Sequence, residues 1–223
     1  MDMVSKSLRS IPVWICVSFI KLTYSMTLKK TLAFLVCLIP MLVLVYFAVS
    51  GQLGPDAGKE LVLETGEWAI RFLLLTLAIS PIRTLTKSPA VLRYRRMIGL
   101  FTWFYASLHL SAVLTYLLGW SWPIFVEEFA ERPYMALGII AWVLMVPLGI
   151  TSNNWAQRKL KRRWKTLHQL TYLIAILACA HFIWLVRSDF GEALLYSVIL
   201  FVLLVFRIVP ALRHSREGGN PAL

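Results

Sequence analysis

Cysteine and histidine are both scarce in this chain, with three and four among 223 residues. Cys16, Cys37 and Cys179 stand singly in apolar stretches, without the paired spacing of a disulfide framework or a zinc site and without a Cys-x-x-Cys-His attachment signature. Neither G-x-x-x-x-G-K-[ST] nor G-x-G-x-x-G occurs, which removes the phosphate-cradling and dinucleotide-binding motifs. No internal repeat stands out. Acidic residues are also few, 11 against 23 Lys and Arg, giving a formal charge of +12. That excess does not mark a nucleic-acid binder, because the basic residues are not interleaved with aromatics on a soluble face.

What the chain has in abundance is apolar sequence. Hydrophobic residues make up 59% of it and the mean hydropathy is +0.71, well above soluble domains, so this is a multispanning membrane protein. Apolar runs of roughly 20 residues suit membrane-crossing helices. They fall at about 31–50, 68–83, 97–119, 135–152, 166–186 and 193–212. Charge alternates between the loops. Lys21, Lys29 and Lys30 precede the first run; Arg83, Lys87, Arg93, Arg95 and Arg96 separate the second and third; Arg158 to Lys165 separate the fourth and fifth; Arg207, Arg213 and Arg216 close the chain. The other loops are acidic, with Asp56 to Glu67, Glu127 to Glu131, and Asp189 with Glu192. By the positive-inside rule the basic loops are cytoplasmic. The expected fold is an all-α integral membrane protein, a six-helix transmembrane bundle with both termini cytoplasmic.

Three regions follow. Residues 1–25 read as an interfacial or dispensable extension, since the apolar run from Ile11 to Ile20 is too short to span. Residues 26–212 form the membrane domain. Residues 213–223, polar and containing Gly and Pro, are expected to be disordered.

His109, His168 and His181 lie inside apolar runs, where a polar ring is costly and usually faces a bundle interior with a function. His109 stands thirteen residues beyond Arg96, roughly 20 Å along an outward-running helix, and His181 sixteen beyond Lys165, roughly 24 Å. Two imidazoles thus arrive at similar depth. A porphyrin between them would have both axial positions filled, an arrangement that favours electron transfer. His168, thirteen residues before His181, marks an inner level about 20 Å away, and on a straight helix points about 140° from it. The matching position on the third span is Arg96, so an inner haem lacks an obvious second ligand. The alternative for each histidine is a hydrogen-bonded core residue. His214, in the tail, has no such claim.

Arg71, near the outer end of the second span, is a candidate counter-ion for a haem propionate; snorkelling or pairing with Glu67 is its alternative. The cluster Arg93, Arg95 and Arg96 could neutralise an inner propionate, a flavin phosphate or lipid headgroups, or serve only to orient the chain.

The segments RRMIGLFTWFYASLHLSAVLTY, ERPYMALGIIAW and RKLKRRWKTLHQLTYLIAILACAHFIW, in that order, resemble the haem-binding membrane subunits of the bacterial periplasmic methionine-sulfoxide reductase system, within the ferric-reductase-like transmembrane group. The similarity runs over about 27–210. It implies b-type haem, one or two per chain, held by His109 and His181, with His168 either holding an inner haem alone or binding flavin or quinone instead, together with FMN and a location in the bacterial inner membrane. It also implies electrons from the quinone pool or a cytoplasmic flavin reductase, passed to a periplasmic molybdopterin-containing partner that repairs oxidised proteins. The chain itself has no room for a soluble catalytic domain, so a relay needs partners on both sides. Two other readings stay open: a stand-alone ferric or oxygen reductase, and a cofactor-free transporter or assembly protein with proton-relay histidines.

Overall fold

Hydrocarbon offers no water to backbone N–H and C=O groups, so a chain this apolar must satisfy them within helices. The computed structural model describes residues 13–186 and 190–217, with side chains for 28–186 and 190–207. Its helices are α1 (Val13–Val49), α2 (Ala57–Thr86), α3 (Leu92–Ala112), α4 (Trp122–Glu131), α5 (Pro133–Ile150), α6 (Asn154–Leu160), α7 (Arg162–His168), α8 (Leu170–Leu185) and α9 (Gly191–Glu217). No strand occurs among the described residues.

Five segments there are long and apolar enough to cross a membrane: Leu28–Val49, Ala57–Thr86, Pro89–Leu117, Pro133–Ile150 and Arg162–Leu185. Helix α9 covers the sixth expected span, with side chains described as far as Arg207. It extends past the expected boundary at 212, so residues 213–217 are helical; the rest of the expected tail, 218–223, lies outside the described residues, as do 1–12. The backbone from Val13 is continuous with the first span, so the apolar run expected to be interfacial is for the most part the start of α1.

The chain divides near Val43 into two compact units. The first holds most of α1. The second contains the remaining helices, and there α2 pairs extensively with α3, and α5 with α8; α9 lies on α8 and α2, and α3 touches α5. Small residues let these helices approach, as membrane helices require. A β-carbon on Gly99 would sit 3.7 Å from Thr76, and one on Gly149 only 2.5 Å from the Trp103 ring. The core brings together Leu73, Leu77, Ala141, Met145, Ile174 and Leu200. Hydroxyls bond back to their own helix: Thr76 to the Phe72 carbonyl at 2.8 Å, Ser107 to Trp103 at 2.8 Å, Ser152 to Leu148 at 2.7 Å.

Two elements add to what the hydropathy marks. Helix α2 begins at Ala57, about three turns before the hydropathic run. Asp56 caps it by accepting from the Lys59 N–H at 3.1 Å, and Glu60 adds negative charge to the first turn. Its polar start hides a full-length helix. The expected acidic loop before the fourth span contains α4, whose Trp122, Phe125 and Phe129 rings stack along one side. Ten residues are too few to cross, so α4 is an accessory at the bundle end.

Candidate functional site

His109 and His181 come together. Their ring centroids are 6.2 Å apart and the planes make an angle of 76°. The Nδ1–H of His109 donates to the Val62 carbonyl at 2.8 Å, and that of His181 to the Tyr134 carbonyl at 2.6 Å. A carbonyl can only accept, so each Nδ1 carries the proton and each Nε2 keeps its lone pair for a ligand. Such an outer hydrogen bond fixes the tautomer and orientation of a metal-binding histidine.

The approach depends on two glycines. A β-carbon at Gly66 would lie 3.0 Å from Cε1 and Nδ1 of His109, and one at Gly138 would lie 3.0 Å from the same atoms of His181. Both rings line a cavity of about 440 Å³ between α2, α3, α5 and α8. That volume lies within the ordinary range for small-molecule and cofactor sites. Its wall is mainly aliphatic, with Ala69, Ile70, Ala106, Ala141 and Ala178 leaving room beside the rings, while Glu67, Glu128 and Arg132 are polar residues of its lining.

The two sides of this cavity are copies of one unit. Val62, Gly66, Ala69, Ala106 and His109 recur as Tyr134, Gly138, Ala141, Ala178 and His181, each 72 positions later. In both copies the histidine bonds the carbonyl 47 residues before it. Gly-x-x-Ala on one helix and Ala-x-x-His on the next is therefore a repeat, contrary to the expectation of none. Identity is too sparse to attract notice without the structure, though the offset was available. The same shift carries Arg96 onto His168.

His168 stands apart from this pair. Its Nδ1–H donates to the Trp164 carbonyl at 3.1 Å, its Nε2 lies 3.4 Å from Ser152 Oγ, and its ring stacks on Trp164 at 3.8 Å. Arg96 donates to Asn154 Oδ1 at 2.5 Å and Gln157 Oε1 at 2.9 Å, tying α3 to α6. Arg71 pairs with Glu67, donates Nε–H to the Tyr196 hydroxyl at 2.8 Å and lies 5.0 Å over the Trp68 ring. It is not among the residues lining the cavity, whereas Arg132, to which the sequence reading gave no role, is.

The donor set decides what could bind. Among the described residues no three or more His, Cys, Asp or Glu side chains converge as a cation site. A metal whose other positions are filled by a macrocycle needs only two protein ligands, and haem is such a group. The 6.2 Å between ring centroids is compatible with two imidazoles sharing one metal. The residues present fit a bis-imidazole haem.

Residues 65–179 match the family of the ferric reductase like transmembrane component. A protein-methionine-sulfoxide reductase heme-binding subunit MsrQ from Xanthomonas euvesicatoria is 46% identical over 90% of this chain and 94% of its own length. The MsrQ of Polaromonas naphthalenivorans is 41% identical over 80% and 83%. No solved structure matches. With its paired helices, facing histidines and this similarity over most of its length, the chain belongs to the MsrQ family of ferric-reductase-like membrane proteins.

Proposed function

We propose that this protein is a membrane haem b subunit that relays electrons across the bacterial inner membrane to a periplasmic molybdopterin-containing methionine-sulfoxide reductase. The observation that carries the reading is the pair His109 and His181, facing each other at 6.2 Å with both Nδ1 atoms committed to carbonyls. These two side chains would hold the haem, which supplies one-electron chemistry when bound. The Val62 and Tyr134 carbonyls hold a proton at Nδ1 of each ring and so turn Nε2 into the ligand atom, and the wall beside the rings is mainly aliphatic. Held by both histidines, the group would supply electron transfer rather than oxygen reduction.

The six-span topology with cytoplasmic termini follows from the alternation of basic and acidic loops. It puts the His109–His181 level nearer the periplasm and His168 nearer the donor. The quinone pool or a cytoplasmic flavin reductase would supply the electrons. His168, which the 72-residue shift matches to Arg96, is the proposed inner contact for a second haem, FMN or quinone, and Arg71 supports the outer site indirectly through Glu67.

The test is a reduced-minus-oxidised spectrum with pyridine-haemochrome quantitation on detergent-purified wild type, His109→Ala and His181→Ala. Wild type should carry haem b and both variants should lose it. A colourless wild type after haem-replete expression would sink the relay and favour a cofactor-free transporter or assembly protein.

A further inference from the structure

We infer that Arg132 is the counter-ion for an acidic edge group of the cofactor in the His109–His181 cavity, and so a cofactor-binding residue at its rim. The inference rests on the haem reading above and assigns the rim contact to a residue other than the arginine singled out in the sequence. Arg132 forms the extended link between α4 and α5, with φ −115° and ψ 93°, and lines the cavity. Two residues later comes Tyr134, whose carbonyl anchors His181.

The guanidinium is held but not exhausted. Its Nε–H donates to Glu128 at 2.6 Å and one terminal amino group donates to the Tyr134 hydroxyl at 3.1 Å, so these contacts use two of its five N–H donors. Its side chain is half exposed, which leaves the fork accessible at the mouth of an otherwise aliphatic chamber. The two other charged residues lining that chamber, Glu67 and Glu128, are carboxylates and would repel an acid. A b-type haem carries two carboxylate side chains, and a planar guanidinium is the protein group best matched to one. Arg71 makes the same two kinds of bond, to Glu67 and Tyr196, but does not line the cavity.

The experiment compares haem with haem dimethyl ester, which keeps the ring and iron but lacks the acids. Full-length apoprotein in detergent is loaded with each, and transfer to excess apomyoglobin is followed by the Soret band. Wild type should release the ester about tenfold faster than the free acid. Arg132→Gln should release both at the ester's rate, while Arg71→Gln should preserve the wild-type difference. If Arg132→Gln keeps the difference, or if wild type shows none, the assignment to Arg132 is overturned while the haem site stands. If wild type takes up neither porphyrin, the haem reading fails, and the assignment fails with it at that first spectrum.

Discussion

Gly66 lies directly against the ring of His109, so closely that a β-carbon would stand 3.0 Å from both Nδ1 and Cε1. Gly66→Ala should therefore push the imidazole from its place, at a cost of about 1–3 kcal/mol if the neighbours do not yield. The same holds for Gly138→Ala and His181. We expect lower haem occupancy and a shifted midpoint potential in each variant, with α-helical content unchanged in circular dichroism. Full occupancy at the wild-type potential would show that the glycines do not set the ring positions.

The angle of 76° between the two imidazole planes has a magnetic signature. Parallel planes split the iron dxz and dyz orbitals, whereas nearly perpendicular planes leave them almost degenerate and the unpaired electron keeps orbital momentum. Ferric protein at liquid-helium temperature should give a low-spin EPR signal dominated by one very large g value. An ordinary rhombic spectrum would mean that the rings turn towards each other once iron is bound.

Tyr196→Phe removes the acceptor of the Arg71 Nε–H and leaves the Glu67 pair in place. This pair is partly exposed, so we expect a loss of about 1 kcal/mol and a melting temperature lower by a few degrees in detergent. The haem spectrum should not change. A bleached variant would put Arg71 in the site after all.

His168→Ala separates the two levels. The band from the His109–His181 centre should persist, and pyridine haemochrome should fall by no more than half. Complete loss of haem would show that the outer pair does not hold the porphyrin without His168.

The histidine pair was legible because a polar ring inside an apolar run is rare and its depth follows from the helical rise. Most spans were legible for the same physical reason. The full length of α2 was legible only in part: Glu60, Glu64, Glu67 and Arg71 lower hydropathy over its first turns, while the pairing of Glu67 with Arg71, four residues apart on one helix, was among the readings of the sequence. Helix α4 was missed because ten residues with three glutamates read as loop. The rim was hidden as well. Arg132 looks like any loop arginine until the α4–α5 junction is seen to border the cavity.

The 72-residue repeat also bears on biogenesis. Each copy brings one nitrogen, and the second copy begins only after residues 110–133 have been made. A ribosome that has inserted α2 and α3 has made half a chamber, and the other half waits for α8. Haem held by His109 and His181, as proposed, would act as a late staple between an early and a late helix pair. Loading of that group would then have to wait until the second helix pair is threaded.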